Sequence, residues 1–338
     1  MIDSIILEDV EKIRNALRKG DFENKRVLVT GGAGFVGSWI CDVLAGFDVE
    51  VTCLDDFSTG KRENIDHLLG KSCFKFVEDD VCNFRSKVKF DYVLHLASRA
   101  SPEKYQQHPI KTLKANSFGS YNMLELARKN DAKILFASTS EVYGDAQVVP
   151  TPETYWGNVN PIGVRSCYDE GKRFGEALFM AYHRQYGLDV RIARIFNSYG
   201  PRLRSEGAYG RAVSRFITQA LTGQPLTVYG DGTQTRSFCY ITDTIMGLSS
   251  LLIKREARGE VVNIGNSKEI TILELAQEIK KLTESASPIT FCTLPEDDPR
   301  RRCPNTSKAM KLLGWKPKIS LEKGLVRTIE WFKGKRVK

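Results

Sequence analysis

The sequence predicts an α/β protein with a doubly wound parallel sheet and a smaller α+β lobe. Over the first 200 residues, short runs rich in β-branched residues alternate with helical patterns, which is the order of a parallel sheet with right-handed crossover helices. The strand-like runs are almost continuously apolar, as strands covered on both faces must be. After about residue 200, glycine and proline become more frequent and arginines gather in loops, which indicates a second lobe of different character.

The elements can be placed in chain order. Apolar residues at helical spacing near the start predict a helix docked on the body, or alternatively a regulatory or partner-binding helix: Ile6, Val10, Ile13 and Leu17. Six runs are typical of strands, at 26–30, 49–55, 74–80, 91–97, 132–138 and 190–196. Helical patterns lie between them, most clearly at 35–45, 110–129 and 165–186.

The same patterns divide the chain into two lobes. Residues 1–199, joined by roughly 238–263, are expected to form the first lobe, and residues 200–237 and 264–338 the second. The sequence contains no internal repeat and no low-complexity linker, so the two lobes are expected to form one rigid unit. The second lobe would then supply one wall of a cleft.

Composition and charge argue against several classes of protein. The 338 residues are 41% hydrophobic and 27% charged, which is ordinary for a soluble globular protein. The sequence has no run of about 18 apolar residues, and its first 20 residues lack the order of a signal peptide, so neither a membrane span nor secretion is expected. The net charge of +9 comes from dispersed residues and is explained better by an anionic small substrate than by nucleic acid.

The eight cysteines are scattered along the chain. They form no C-x-x-C pair and no cluster with histidine, which argues against a zinc site and against a disulfide scaffold. Several lie in apolar strand-like runs, where thiols usually act as small hydrophobic groups. We therefore expect no metal and a reducing compartment, the cytoplasm.

A glycine-rich turn marks the expected cofactor site. The stretch "VLVTGGAGFVGSWI" places three glycines between a strand and a helix, at Gly31, Gly34 and Gly37. Glycine permits the tight turn and lets backbone N–H groups approach a pyrophosphate. The next strand ends in Asp55, which suits both ribose hydroxyls of an adenosine and would repel a 2′-phosphate, and Asp80 and Val81 suit the adenine. This order predicts a Rossmann-type domain that binds NAD rather than NADP; a turn with no ligand is the alternative.

A tyrosine and a lysine one helical turn apart mark the expected chemistry. In "YDEGK", Tyr168 and Lys172 lie at i and i+4 and therefore on one face of a helix. A nearby ammonium, together with a positively charged nicotinamide ring, would lower the pKa of the phenol from its usual value of about 10. Tyr168 could then take a hydroxyl proton as hydride leaves the same carbon, with Thr139 bonded to the same oxygen. The spacing alone is common by chance, but its position behind the nucleotide motif favours a catalytic interpretation.

Several stretches together resemble the extended short-chain dehydrogenase/reductase family, whose members modify nucleotide sugars. They are "TGGAGFVGS", "LDDFSTGKREN", "HLAS", "STSEVYG", "YDEGKR", "ARIFNSYGPR", "LTVYGDGTQTRSFCYITD" and "LGWKP". Within this family, "NPIGVRSCYDEGKR", "HPIKTLKANSFGSYNML" and "DDPRRRCP" are similar to the subgroup that decarboxylates UDP-glucuronate to UDP-xylose. The resemblance covers nearly the whole chain. It implies a tightly held NAD, a UDP-sugar substrate, and a homodimer that pairs helices 110–129 and 165–186 across a two-fold axis.

The resemblance also implies a set of site residues. The catalytic residues would be Thr139, Glu141, Tyr168 and Lys172. The cofactor-binding residues would be Gly31, Gly34, Phe35, Val36, Gly37, Asp55, Asp56, Ser58, Thr59, Gly60, Asp80, Val81, Leu96, Ser98, Tyr168 and Lys172. The substrate-binding residues would be Tyr105, Lys114, Ser140, Asn197, Arg211, Arg236 and Arg302. Arg211 and Arg236 would meet the diphosphate, while Arg302 and Tyr105 would face the sugar carboxylate.

Two features depart from the family pattern. Arg99 stands where the family more often has a small residue or proline, beside the loop expected near the nicotinamide. The stretch "RLRSEGAYGR" differs from the usual loop before Arg211. These departures bear on the identity of the sugar rather than on the chemistry.

The stretch "STSEVYG" discriminates among the reactions of the family. All of these enzymes oxidise the sugar C4 hydroxyl to a ketone. The related 4,6-dehydratases carry an aspartate before the glutamate, to protonate the departing hydroxyl, and the epimerases usually lack the glutamate. Here Ser140 precedes Glu141, which fits a third use of the ketone, the loss of CO2 from the neighbouring carbon of a β-keto acid. Glu141 could act as a protonated donor to that carbon, or as an ionised group that strains the substrate carboxylate.

Other functions remain open from the sequence alone. A C4 epimerase or a 4,6-dehydratase of the same fold is the alternative enzyme. A non-catalytic regulator that senses NAD is the alternative from another class, but it would have no need for Tyr168, Lys172 and Glu141 together. Glu141 could also simply hold backbone amides at the end of a strand.

Overall fold

The structure is a computed structural model that describes residues 2–205 and 211–336. The described strands are β1 (Lys25–Thr30), β2 (Val49–Asp55), β3 (Phe74–Glu78), β4 (Tyr92–His95), β5 (Lys133–Thr139), β6 (Val190–Ile195), β7 (Ser198–Tyr199), β8 (Leu226–Tyr229), β9 (Thr235–Ser237), β10 (Cys239–Tyr240), β11 (Val261–Ile264), β12 (Glu269–Thr271), β13 (Ile289–Cys292) and β14 (Arg301–Arg302). The described helices are α1 (Ser4–Ala16), α2 (Phe35–Leu44), α3 (Pro102–Gln107), α4 (Pro109–Lys114), α5 (Ser120–Asn130), α6 (Ser166–Tyr186), α7 (Ala212–Thr222), α8 (Ile241–Ile253), α9 (Ile272–Leu282), α10 (Ser307–Leu313) and α11 (Leu321–Arg336).

Seven parallel strands form the central sheet, in the spatial order β11-β6-β5-β4-β1-β2-β3. The order reverses between β1 and β4, as it does in doubly wound sheets. Helices cover both faces, so the middle of β1 is fully buried: Val27, Leu28 and Val29 are each 0% exposed. The predicted α/β fold with a Rossmann-type parallel sheet is confirmed.

Some element boundaries differ from the predicted ones. The third strand ends at Glu78 rather than at residue 80, because Asp80 begins a turn in which its carboxylate accepts the N–H of Cys82 at 2.9 Å. The helix predicted over 110–129 consists of three segments, since α4 passes into a wider π-type turn at Ala115–Gly119 before α5 begins. Such a turn changes the phase of the side chains before and after it.

The first helix docks on the body, as its apolar spacing predicts. Its buried apolar face comprises Ile6, Val10, Ile13 and, just beyond the helix, Leu17. The helix packs against α2 and α8. Asp9, only 2% exposed, accepts hydrogen bonds from the Tyr240 hydroxyl at 2.7 Å and from Arg327 Nε at 3.0 Å. A buried carboxylate therefore joins α1 to the start of α8 and to α11.

The later part of the chain adds small sheets and helices beside the central sheet. β8 pairs with β13 in parallel, and β9 pairs with β12 antiparallel and with β14 in parallel. α7 packs against α9. The division of the chain into lobes at the boundaries given above stays a prediction. Within the described ranges, no helix is both long enough and apolar enough to cross a bilayer.

Candidate active site

A cleft of about 400 Å³ lies at the carboxyl ends of the central strands. It lies where the strand order reverses between β1 and β4, which is where sheets of this kind bind ligands. Its lining includes the glycine-rich turn after β1 and arginines from the later part of the chain. Its size and its mixture of apolar and convergent polar groups make it the candidate active site.

The glycine-rich turn forms a backbone cradle in this cleft. Gly31 has a φ of +69°, a left-handed conformation that favours glycine, and a Cβ there would lie 2.9 Å from the backbone of Ala97. A Cβ on Gly37 would overlap the carbonyl oxygen of Gly31. Gly34 is the N-cap of α2, and the first turn of this helix lines the cleft. The backbone N–H groups of the first turn of α2 are therefore available to bind an anion.

Asp55 lies at the end of β2 and is only 7% exposed. Its two oxygens accept the N–H groups of Ala33 at 3.0 Å and of Phe57 at 2.9 Å. Burial outweighs these bonds and raises the pKa of Asp55 to about 6. Gly60 packs against the same carboxylate, since a Cβ there would lie 2.6 Å from it. A carboxylate next to the glycine cradle suits the hydroxyls of a ribose, so these residues fit the dinucleotide expected from the sequence.

The other residues predicted to bind the cofactor follow the same wall of the cleft. They are Phe35, Val36, Asp56, Ser58, Thr59, Asp80, Val81, Leu96 and Ser98. Arg99 also lines the cleft, and its guanidinium lies 3.8 Å from the carboxylate of Asp56. Arg204 donates from Nη1 to the Thr59 carbonyl at 2.6 Å. The loop after β2 is therefore contacted by two arginines that the sequence did not assign to the cofactor.

Tyr168 and Lys172 lie one turn apart on α6, and both are buried and line the cleft. Lys172 donates from Nζ to the carbonyl of Ala137 at 2.8 Å, and burial lowers its pKa to about 7. Burial and the charge of Glu141 raise the pKa of Tyr168, while a hydrogen bond with Thr139 acts in the opposite direction. The protein alone therefore does not lower the pKa of the phenol. The lowering expected from the sequence stays a prediction for a site that also holds a positively charged nicotinamide.

Glu141 lies between two guanidinium groups. Its Oε2 accepts a hydrogen bond from Arg165 Nη2 at 2.7 Å and another from Arg302 Nη2 at 2.8 Å. Burial by itself would raise the pKa of this carboxyl, but the two arginines, with Arg236 beyond them, hold it down at about 2. Of the two states that the sequence leaves open, the structure favours the ionised one before substrate arrives.

Arg165 and Asp298 are the main site residues that the sequence reasoning missed. Both line the cleft. Asp298 accepts from Arg236 Nη2 at 2.9 Å and lies 3.8 Å from Arg165 Nη1. A signal existed for Arg165, which precedes Tyr168 by three positions and so lies on the same side of the helix. No local pattern points to Asp298, because its hydrogen-bonded partner is 62 residues away in sequence.

The predicted substrate-binding residues divide into two groups. Those that line the cleft are Ser140, Asn197, Arg211, Arg236 and Arg302. Tyr105 and Lys114 are not part of the lining: the Tyr105 ring is 1% exposed and stacks on Tyr168 with centroids 5.1 Å apart, and Lys114 is exposed. Their roles toward substrate stay predictions. The unusual loop before Arg211 includes residues 206–210, which lie outside the described residues.

Comparison with known proteins places these features in a family. The sequence profile of the GDP-mannose 4,6 dehydratase family matches residues 28–328. The chain belongs to this family. The resemblance to the extended short-chain dehydrogenase/reductase family, recognised from the motifs, is thereby confirmed. A curated relative, UDP-glucuronic acid decarboxylase 1 of Danio rerio, is 51% identical over 310 residues, which are 92% of this chain and 73% of the relative.

Solved structures of the extended short-chain dehydrogenase/reductase family share the fold. The UDP-glucose 4-epimerase of Thermotoga maritima, solved with UDP-glucose, superposes with a TM-score of 0.85 at 32% identity, over 92% of this chain and 99% of the epimerase. A variant of UDP-glucuronic acid 4-epimerase from Bacillus cereus, in complex with UDP-4-deoxy-4-fluoro-glucuronic acid and NAD, gives a TM-score of 0.81 at 30% identity, over 91% of this chain and 99% of that protein. Because epimerases share the fold, the fold alone does not decide the reaction.

Proposed function

We propose that this protein is an NAD-dependent decarboxylase that converts UDP-glucuronate to UDP-xylose and CO2. The observation that carries the proposal is Glu141, a carboxylate bound by two arginines in the same cleft as Tyr168 and Thr139. The 51% identity to the Danio rerio decarboxylase over most of the chain supports the same reaction.

The glycine-rich turn and Asp55 would hold the cofactor. The tight turn at Gly31 and Gly37 brings the first turn of α2 to the cleft, where its backbone N–H groups suit a pyrophosphate. Asp55 would accept the two hydroxyls of the adenosine ribose and would repel a 2′-phosphate, which supports NAD over NADP. The NAD in the Bacillus cereus epimerase is consistent with this. When bound, NAD supplies the acceptor, and later the donor, of a hydride at the sugar C4.

Tyr168 would move the proton of the sugar C4 hydroxyl. It accepts that proton as the C4–H bond breaks, and Thr139, which is hydrogen-bonded to Tyr168, orients the same oxygen. Because burial raises the pKa of the phenol, this step requires the cation of Lys172 and the positive charge of the loaded site to stabilise the phenolate. After CO2 has left, Tyr168 returns the proton to O4, and the whole reaction involves no net oxidation.

The arginines would hold the negative charges of the substrate. Arg302 Nε is buried and has no hydrogen-bond partner among the described residues, so it can donate to the carboxylate on C5. Arg211 and Arg236 line the same cleft and would meet the diphosphate. Once C4 is a ketone, the bond from C5 to the carboxylate breaks and CO2 leaves, while the electron pair forms the enolate between C4 and C5. A proton that comes ultimately from solvent then adds to C5, so the overall reaction takes up one proton for each CO2 released.

The two alternative enzymes fit the site less well. A 4,6-dehydratase needs an acid to protonate the departing hydroxyl, but Ser140 carries only a hydroxyl, and Glu141 has a pKa of about 2 and is a poor proton donor at neutral pH. A 4-epimerase needs no carboxylate between two arginines, because after oxidation at C4 it only returns the hydride to the opposite face of the ketone.

A product analysis tests the proposed reaction. The purified chain with NAD and UDP-glucuronate should yield a UDP-sugar lighter than the substrate by one CO2. A product of unchanged mass would instead favour the epimerase, and loss of one water from a nucleoside-diphosphate glucose would favour the dehydratase. Tyr168→Phe should abolish the conversion, while Tyr186→Phe, an exposed tyrosine on the same helix, is the matched control and should retain it.

We further propose that the protein is a homodimer. Large hydrophobic side chains are exposed on α4, on α5, on α6 and on the turn between α4 and α5: Ile110, Leu113, Phe118, Tyr121 and Phe174. A second copy of the chain would cover this surface across a two-fold axis, as the family resemblance implies. Light scattering on a sizing column should give twice the chain mass, and Phe118→Asp should give a monomer. A Val88→Asp control, at an exposed site elsewhere, should remain dimeric; a monomeric unsubstituted chain would overturn the proposal.

A cytoplasmic location is also proposed. The cysteines are all free thiols, and five of them are buried, which supports a reducing compartment. Cell fractionation should recover the protein with cytoplasmic markers, and recovery in a membrane or secreted fraction would contradict this.

A further inference from the structure

The two arginines that bind Glu141 lie in very different surroundings. Arg165 is 4% exposed at the N-terminus of α6, and its carbonyl accepts the backbone N–H of Tyr168 at 3.0 Å. Arg302 lies on β14, in the later part of the chain, and its Nε is buried with no hydrogen-bond partner among the described residues. The Nε–H group of Arg302 can therefore donate a hydrogen bond to a bound substrate.

Arg165, in contrast, is held by groups of the protein on several sides. Besides the 2.7 Å bond to Glu141, its guanidinium lies 3.8 Å from Asp298 and 4.0 Å from Asp169. Its Cζ lies 6.0 Å from the centre of the Tyr105 ring, which in turn stacks on Tyr168. Moving this guanidinium toward a substrate would break its hydrogen bond to Glu141 and its contacts with Asp169 and Asp298 in a site largely shielded from water, which is costly. The structure therefore keeps Arg165 on Glu141.

A substrate carboxylate entering this site creates a problem of like charges. It would lie close to Glu141 and would raise the pKa of that group if nothing compensated. One guanidinium for each carboxylate removes the conflict: Arg302 can turn to the substrate while Arg165 stays with Glu141.

We infer that Arg165 is a positioning residue that keeps Glu141 ionised and in place during decarboxylation, while Arg302 binds the carboxylate of the substrate. This inference rests on the proposed function. It assigns different kinetic signatures to two arginines that contact the same oxygen of Glu141.

Kinetics on substitution variants separate the two roles. Arg165→Gln should lower kcat by about tenfold to a hundredfold, the effect of losing a hydrogen bond to a charged group, with little change in KM. The acidic limb of its kcat–pH profile should move upward by about one to three pH units as Glu141 loses one cation. Arg165→Lys, which keeps the charge, should restore most of the pH profile. Arg302→Gln should instead mainly raise KM.

A double-mutant cycle tests whether Arg165 acts through Glu141. In a Glu141→Gln background, Arg165→Gln should cost less than about twofold more in single-turnover CO2 release, because the charge it stabilises is already gone. The double variant is also less prone to misfold than Arg165→Gln alone, because it contains no Glu141 carboxylate that has lost its Arg165 partner. Arg184→Gln, an exposed arginine on the same helix, is the matched control and should leave kcat, KM and the pH profile unchanged.

Several outcomes would overturn the inference. The first is an acidic limb of the kcat–pH profile that does not move in Arg165→Gln. The second is a loss of CO2 release in the double variant equal to the product of the two single losses. The third is a larger change in KM than in kcat for Arg165→Gln. Each of these is read against an unsubstituted chain that releases CO2 from UDP-glucuronate. If that chain itself releases none, the proposed function fails first, and the two failures are distinguishable.

Discussion

Replacing Asp55 by asparagine should change the stability of the protein in a pH-dependent way. Asp55 is buried at the end of β2, and burial raises its pKa from an ordinary 3.8 to about 6. An acid whose pKa is higher in the folded chain binds its proton more tightly there, so the folded state is favoured at low pH. That contribution is present below about pH 4 and is lost as the pH rises through about 6.

The size of the effect follows from the two pKa values. At about 1.36 kcal/mol per pH unit, a rise from 3.8 to about 6 costs the folded chain ~3 kcal/mol when the carboxyl is ionised. Asp55→Asn removes this cost, so its free energy of unfolding relative to the unsubstituted chain should rise by ~2 kcal/mol between about pH 4 and pH 8. The amide can accept from only one of the N–H groups of Ala33 and Phe57. That loss costs about 1 to 3 kcal/mol at every pH and leaves the slope unchanged.

Denaturant unfolding without added nucleotide, across the same pH range, measures the difference. Asp56→Asn is the matched control: it removes a charge from the same loop but leaves the buried carboxyl. It should keep most of the pH dependence of the unsubstituted chain, because the charge of Asp56 raises the pKa of Asp55 much less than burial does. A difference between Asp55→Asn and the unsubstituted chain that is the same at every pH would refute the burial argument. Added NAD should raise the melting temperature of the unsubstituted chain more than that of Asp55→Asn, because the variant has lost the acceptor for the ribose hydroxyls.

Three further substitutions have definite expected outcomes. Glu141→Gln should keep NAD bound but slow CO2 release by at least about tenfold; unchanged turnover would remove Glu141 from the mechanism. Gly37→Ala should abolish NAD binding in a calorimetric titration, because the added methyl group overlaps the carbonyl of Gly31. Unaltered affinity would contradict the proposal that the glycine-rich turn binds the dinucleotide. Asp9→Ala should lower the free energy of unfolding by about 1 to 3 kcal/mol, because the buried Tyr240 hydroxyl loses its acceptor. Urea unfolding at neutral pH measures this, and a change within error would mean that the contact contributes nothing.

The cofactor side of the site could be predicted because its signals are local. The tight turn at Gly31 and Gly37 requires glycine by its own backbone geometry, and Asp55 ends the very next strand. The same holds for Tyr168 and Lys172, whose spacing on one helix fixes their common face. In each case a few neighbouring residues carry the whole argument.

The charge cluster around Glu141 could not be predicted in the same way. Its pairs join segments that are far apart in sequence, such as Glu141 with Arg302 and Arg236 with Asp298, and sequence spacing says nothing about such contacts. The protonation state of Glu141 depends on those contacts, so the sequence left it open. For Lys114, the π-type turn that begins at the next residue breaks the helical phase, so a pattern that assumes one regular helix over 110–129 does not show which way this side chain points.

The buried carboxylate of Asp9 has a consequence for how the cleft can exchange its contents. α1 packs on helices that flank the central sheet, and α11, which Asp9 binds through Arg327, packs on α7 and α9. The contacts of Asp9 thus hold α1, the start of α8 and α11 together. A wide hinge motion that separated these helices would have to break these contacts. Entry and exit of ligands is therefore expected to depend on small movements of the loops at the rim, and a dinucleotide, once seated, should exchange slowly.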